Sequence, residues 1–349
     1  VPRSVLIVGS QRTESLESSY ARAFRHLNWT VHFWEPTSAL YRVARGYQIG
    51  KLFSTFVHVE PWLRKSNLEF LTLVNDLSPD LIIIIGTSGV RAGTLAQIKV
   101  RLPKILIYCI YPDSPHNFNS DRINCLPFFD RVTSSSPAWI ESFNKLGAKR
   151  AFYLPFAADT HIHYPTSLHN PNYKNKMAHD VVFIGTWRPE REQFLEQISD
   201  LDLVIWGSDY WKRRTRPGSP LKVRWGGRQL IGKEFAQVCS ESKILLNIMD
   251  VVTWPGPNMR TFELPACRAF PLTTRTPAVL ELFREGETIE CFDSIEEARE
   301  KIVYYLEHET ARRKIAEASY NFVVREGHTY IDRVRQLIKW VNDDKASKQ

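Results

Sequence analysis

The sequence predicts an α/β protein made of two Rossmann-type domains, each a parallel sheet with helices on both faces. Three observations carry this expectation. The chain has 349 residues, about twice the length of an ordinary single domain. Apolar runs of strand length, such as Leu81–Ile85, alternate with segments of helical periodicity, as strands buried on both faces do. A second series of such runs begins afresh after a polar stretch.

In the first half, Val5 to Gly9 reads as the opening strand, followed by a helix around Tyr20, Phe24 and Leu27 and a second strand from Thr30 to Trp34. Asp80 to Gly86, Ile105 to Ile110 and Arg131 to Ser134 supply further strands, each far enough from the last for a crossover. Residues 1–160 are therefore expected to form the first domain. Residues 161–179, rich in His, Asn, Pro, Lys and Thr, read as a linker. Asp180 then opens a new first strand, and Leu201–Gly207, Lys243–Met249, Ala269–Thr273 and Thr288–Cys291 follow, giving a second domain over 180–329. In the last segment, 330–349, Ile331, Val334, Leu337, Ile338 and Val341 form one helical stripe that needs a surface to cover it.

Composition narrows the function classes. Apolar residues make up 43% and charged residues 24%, values ordinary for a globular enzyme or binding protein. Nothing reaches the eighteen apolar residues of a membrane span, so at most a peripheral membrane contact is expected. The start, Val-Pro-Arg-Ser, carries neither the charged region nor the apolar core of a signal peptide, and the five cysteines stand apart in apolar strings. Buried free thiols in a reducing cytoplasm are the expectation. The net charge is +8, yet between Asp209 and Lys233 eight Lys or Arg face one acid, a local +7. One segment carries the imbalance, which points to a localised anionic partner or a solvated basic face, and no nucleic-acid motif accompanies it.

Neither Gly-x-Gly-x-x-Gly after the first strand nor a Walker A sequence is present, so NAD-type and P-loop ligands are disfavoured and no cofactor is expected. Parallel sheets place ligands at the carboxyl ends of their strands, which directs attention to the loops after Gly9, Gly86, Ile110, Gly185, Gly207 and Met249. The stretch Asn258 to Arg275, Asn-Met-Arg-Thr-Phe-Glu-Leu-Pro-Ala-Cys-Arg-Ala-Phe-Pro-Leu-Thr-Thr-Arg, is the most informative. A polar loop with Asn258 and Arg260 runs into a short helix bearing Glu263. An exposed first turn would offer N–H groups to a diphosphate, Arg260 would add charge, and Glu263 could accept ribose hydroxyls.

This segment resembles the C-terminal domain of GT-B glycosyltransferases, and within them the group 1 branch related to the CgeB spore-maturation proteins. There the pattern reads roughly Arg-x-Phe-Glu-x-x-Ala-Cys-Gly and then a short strand ending in Thr. Arg268 stands at the Gly position here, and Pro255 occupies the place of the first Glu of the Glu-x7-Glu pair found in many relatives. Gly327-His328-Thr329-Tyr330 with Arg333 matches the His-Thr-Tyr-x-x-Arg sequence that ends many CgeB-like chains, with a structural role expected.

The resemblance implies the GT-B fold: two sheets facing across a cleft, with the C-terminal helix crossing back to the first domain. It implies transfer of a sugar from a nucleotide-diphosphate donor, held by the second domain, to an acceptor hydroxyl. No metal is expected, and retention is slightly favoured. Donor contacts are then expected from Gly185, Thr186, Arg188, Arg191, Asn258, Arg260 and Glu263, with Arg188 or Arg191 otherwise free to pair with Glu190 or Glu192. Acceptor contacts are expected from Gly9, Ser10, Arg12, Asp113 and His116, the last two in the Tyr-Pro-Asp-Ser-Pro-His turn. Asp113 or His116 would act as base in an inverting reaction, and Arg260 would stabilise the leaving group. Anionic glycans, lipid-linked molecules and proteins are all candidate acceptors. An epimerase or hydrolase of sugar nucleotides on the same fold, or a non-catalytic coat protein, are the alternatives.

Overall fold

The computed structural model describes residues 3–44, 59–86, 89–166, 178–250 and 253–347. Its chain divides into two compact units, Val1–Pro155 together with Ile331–Gln349, and Phe156–Tyr330.

The first unit is built on six parallel strands, β1 (Ser4–Val8), β2 (Thr30–Trp34), β3 (Leu81–Ile85), β4 (Leu106–Tyr111), β5 (Arg131–Ser134) and β6 (Ala151–Tyr153), in the order β2-β1-β3-β4-β5-β6. The central strands are buried on both faces, which is why Val5–Val8 and Leu81–Ile85 are unbroken Leu, Ile and Val and β4 adds only Tyr and Cys to them. Helices α1 (Leu16–His26), α2 (Pro36–Ala44), α3 (Glu60–Leu77), α4 (Ala92–Arg101), α5 (Ser120–Cys125) and α6 (Ile140–Lys145) make the crossovers. Ser15 caps α1 by accepting from the Ser18 N–H, and Leu16, Tyr20 and Phe24 are its buried side. The three-residue strand β6 was not anticipated, because it is too short to show a pattern.

The second unit holds five parallel strands, β7 (Val181–Ile184), β8 (Leu203–Trp206), β9 (Ile244–Asn247), β10 (Pro271–Thr274) and β11 (Glu290–Phe292), in the order β11-β10-β9-β7-β8. Its helices are α7 (Pro189–Glu196), α8 (Tyr210–Arg214), α9 (Gly232–Glu241), α10 (Arg260–Ala266), α11 (Pro277–Leu282), α12 (Ile295–Glu307) and α13 (Glu309–Arg325). One face of the sheet is closed by Leu195, Trp211, Ile302 and Ile315, the other by Phe235, Val238, Leu264 and Cys267. Gly207 is dictated by packing. A Cβ there would sit 2.2 Å from the Gly185 carbonyl oxygen and 2.8 Å from the Trp211 ring, whose Nε1 donates to that same carbonyl at 2.9 Å.

The polar stretch read as a linker lies partly in this unit. Residues 161–166 belong to it, Ile162 and His163 are buried, and 167–177 fall outside the described residues. Composition misled here because two apolar-facing positions among many polar ones give no periodic signal.

The last helix, α14 (Tyr330–Ala346), packs from Ile331 onward with the first unit. Its Val334, Leu337 and Val341 are fully buried, as the stripe requires. Arg333 donates to the Pro155 carbonyl at 2.9 Å, and Asp344 accepts from Tyr108, Arg131 and Arg150. Gly327 to Tyr330 serve as structure. Ala158 N–H donates to the His328 carbonyl, Tyr330 N–H donates to the Ala158 carbonyl, and the His328 ring lies against Phe262, Phe283 and Phe322. All five cysteines are free and buried, and among the described residues no helix is long and apolar enough to cross a membrane.

Candidate functional site

The carboxyl ends of β7 and β9 lie side by side in the second sheet, and three arginines gather there. Arg191, on the first turn of α7, is nearly buried and braces two loops: its Nε donates to the Ile248 carbonyl at 2.9 Å and its Nη1 to the Thr186 carbonyl at 3.1 Å. Its guanidinium also lies over the Phe183 ring. Burial lowers its pKa, Asp250 opposes that, and the charges of Arg188 and Arg260 lower it further, which places all three cations in one electrostatic neighbourhood. Arg188 stands at the N-cap of α7, half-exposed, with its Nε 3.6 Å from Asp250. No side chain caps that helix start, and in the loop before it the Gly185 and Thr186 carbonyls accept from Trp211 Nε1 and Arg191 Nη1.

Arg260 reaches the same place from α10. Its Nε donates to the Ile184 carbonyl at 3.2 Å, its guanidinium lies 4.7 Å from the centre of the Phe235 ring, and its Nη1 is paired with Glu263. Glu263 is only 2% exposed. Its other carboxylate oxygen faces His163 Nε2 at 3.8 Å. The His163 Nδ1 accepts from the Asp159 N–H, which leaves Nε2 as the protonated nitrogen, and the ring packs edge-on against Phe235. Phe235 is thus a shared wall for Arg260 and His163, and Glu263 is paired with Arg260 and has His163 as a neighbour.

Two expectations about the α10 segment change. Three N–H groups of the first turn of α10 are taken: Thr261 N–H goes to Asn258, while Phe262 and Glu263 N–H both go to the Met259 carbonyl. The chain before the helix already turns helically at Met259, so the orphan donors are satisfied locally. Nor is the Asn258 amide open to a ligand. It exchanges two hydrogen bonds with the Asn247 amide, at 2.7 and 3.0 Å, and also accepts from Thr261, which locks the start of α10 onto the end of β9. Glu192 is not the partner of Arg188 or Arg191. It accepts from Trp187 Nε1 and from the Arg216 N–H. Arg275, at the end of β10, is fully engaged by Glu285, Glu297 and Asp293.

In the first unit, Gly9 follows β1 and has φ +152°, and a Cβ on it would meet the Glu17 carboxylate at 2.4 Å. That carboxylate accepts from the Ser10 N–H at 3.1 Å, which ties the loop to α1, and Arg12 is exposed beside it. Asp113 is half-buried and His116 exposed in the turn after β4, where Ser114 accepts from the His116 N–H. The sequence also contains one Asp-x-Asp, Asp200-Leu201-Asp202, which lies at the amino end of β8. Asp200 pairs with Arg299, and Asp202 with His179 and the Asp180 N–H, so it is a structural turn at the edge opposite the strand ends that bind ligands.

His163, Phe235, Asn247 and Asp250 were not singled out from the sequence. Asn247 and Asp250 carried a usable signal, polar residues interrupting or ending an apolar strand. His163 and Phe235 carried none.

Solved structures share this architecture along nearly the whole chain. Sucrose-phosphate synthase from Thermosynechococcus elongatus superposes with a TM-score of 0.72 at 13% identity, covering 99% of this chain and 100% of that one. HepE from Anabaena, solved with UDP-glucose, gives 0.63 at 12% identity over 97% and 99%. The fold is GT-B. The same GT-B arrangement extends to a UDP-N-acetylglucosamine 2-epimerase described as putative, from Listeria monocytogenes, with a TM-score of 0.57 at 11% identity over 99% and 98%. Residues 188–339, under half of the chain, match the family model described as Glycosyl transferase-like, and that span contains Arg188, Arg191, Arg260 and Glu263. No curated protein sequence matches the chain.

Proposed function

We propose that the protein is a glycosyltransferase that moves a sugar from a nucleoside diphosphate sugar, held by the second unit, to an acceptor hydroxyl. The observation that carries this reading is the convergence of Arg188, Arg191 and Arg260 at the carboxyl ends of β7 and β9, inside the span that matches the glycosyltransferase family model. HepE, which shares the fold, is solved with UDP-glucose in place, which supports a nucleotide-sugar donor here.

In this reading Arg188 and Arg260 hold the diphosphate, with the Gly185-Thr186 backbone and the uncapped start of α7 beside it. Arg191 shapes the loops, with its Nε and Nη1 on carbonyls and its Nη2 facing Asp250 at 3.6 Å. Arg260 must leave Glu263 to reach the diphosphate. Glu263 then keeps His163 as a neighbour and gains a free oxygen for a ribose hydroxyl. Negative charge grows on the diphosphate as the glycosidic bond breaks, so preorganised arginines stabilise the transition state more than the ground state. They supply the positive charge for which other transferases use a metal, and turnover is expected to survive a chelator. Retention is the outcome the group 1 resemblance slightly favours, and it is read from the product anomer by NMR. An inverting result would bring Asp113 or His116 forward as the base.

Calorimetry with UDP, GDP and ADP tests the core of the reading. One of them should bind, and Arg188→Ala and Arg260→Ala should each weaken it roughly ten- to a hundredfold, the loss of one charge-assisted contact. If no nucleoside diphosphate binds, or both variants bind like the parent, the donor site is not here. The epimerase reading, which the Listeria neighbour favours, predicts an epimerised sugar nucleotide with no acceptor added, and product analysis separates the two.

A further inference from the structure

The basic segment from Asp209 to Lys233 has a structural setting that its charge count does not explain. Strand β8 is the outer strand of the second sheet, and the segment pairs along its open side. Gly226 N–H donates to the Ile205 carbonyl at 2.8 Å, Ile205 N–H to the Arg224 carbonyl at 2.9 Å, and Gly207 N–H to the Arg228 carbonyl at 3.1 Å. Gly226 is required by this approach, since a Cβ there would meet the Trp206 ring at 2.5 Å. Residues 224–228 are therefore a fixed cover on the sheet edge, within a basic segment that carries many exposed side chains.

That surface is mixed in a particular way. Among its eight cations, Arg213 pairs with Asp209, Arg216 with Glu192 and Glu196, and Arg228 with Glu234, while Arg224 donates to the Ser199 carbonyl. Lys212, Arg214, Lys222 and Lys233 are exposed, and counting the four acids the patch keeps a charge of +4. Large apolar side chains stand out among them: Val223, 86% exposed between Lys222 and Arg224, with Tyr210 and Ile231 about half exposed. A soluble polyanion gains nothing from Val223. A bilayer does, because its headgroups attract the cations while its acyl boundary takes the apolar tips.

We propose that this edge of the second unit docks on the surface of an anionic lipid bilayer, with Val223 entering the headgroup layer and Lys212, Arg214, Lys222 and Lys233 reading its charge. The association is peripheral and reversible, and it does not depend on the nucleotide site.

Flotation with vesicles of phosphatidylcholine and phosphatidylglycerol in equal parts, against vesicles of phosphatidylcholine alone, tests it. The protein should float only with the anionic vesicles, and added salt should release it. Replacing the four exposed cations by Gln should weaken binding by roughly 10²–10³-fold, at about fivefold for each. Val223→Ser leaves the charge unchanged and should weaken vesicle binding by about tenfold, while binding to soluble polyphosphate stays the same. Absence of flotation with the wild-type chain overturns the proposal. So does vesicle binding that ignores either variant, and equal loss of polyphosphate and vesicle binding in Val223→Ser would make the partner a soluble polyanion. Melting curves show that the variants fold. Because binding of a nucleoside diphosphate is measured separately on the same samples, a failure here leaves the donor reading standing, and the reverse holds too.

Discussion

Replacing Asp344 by Asn should detach the C-terminal helix from the first unit. The Asp344 side chain is 2% exposed and accepts at 2.7 and 2.8 Å from Arg131, at 2.8 Å from Arg150 and at 2.6 Å from the Tyr108 hydroxyl. The Arg131 guanidinium itself lies against the Phe152 and Trp340 rings, 4.4 and 5.1 Å from their centres, so it cannot swing out to water without loss of packing. Asn keeps the shape, removes the charge and turns an NH₂ group toward other donors. Removing one partner of a buried pair costs about 3–5 kcal/mol. Arg150 is half-exposed and adds little to that. For a unit of this size each kcal/mol moves the midpoint by roughly 2–4 °C, so calorimetry should show the first unit melting some 6–20 °C lower. The pH dependence has a definite sign. Burial alone would raise the Asp344 pKa, but hydrogen bonds from Arg131 and Tyr108 outweigh it and hold the folded value below the usual carboxylate range. Its stabilisation is complete above the unfolded pKa of about 3.9 and is lost as pH falls through the lower folded value. The gap between wild type and Asp344→Asn should therefore close in acid. A midpoint within about 2 °C of wild type at neutral pH would mean that the network does not anchor the helix.

Two further substitutions probe the second unit. Gly207→Ala forces a Cβ into the Gly185 carbonyl and the Trp211 ring, and should destabilise by at least the 1–3 kcal/mol typical of overpacking, seen as a lower denaturant midpoint for that unit. Arg268 holds a left-handed backbone, φ +56°, just past the end of α10, which is where the related pattern carries Gly. Arg268→Gly relieves about 1 kcal/mol of that strain but gives up the exposed pair with Glu317 and the contact with the Tyr320 ring, each worth about as much or less. The two effects offset one another, so the melting temperature should stay near the wild-type value. A large loss would show that the Arg268 side chain is a support of α13.

By itself the sequence determined the architecture and the strand ends at which to look. Period and length suffice for that, because a strand buried on both faces, such as Leu81–Ile85, must be apolar throughout, and the loop after it must then carry whatever chemistry there is. Arg188 and Arg191 were legible because they follow the end of β7, and Arg260 because it lies in the Asn258–Arg275 segment. Tertiary structure decided what those positions can do. Asn258 is locked to Asn247 and takes the Thr261 N–H, and Glu17 takes the Ser10 N–H beside Gly9, contacts that spacing does not show. His163, well over ninety residues from Glu263, carried no signal at all. Sequence spacing fixes which side chains share a helix or strand face. Which faces meet depends on packing between elements far apart in the chain, and that packing alone gave Glu263, paired with Arg260, His163 as a neighbour.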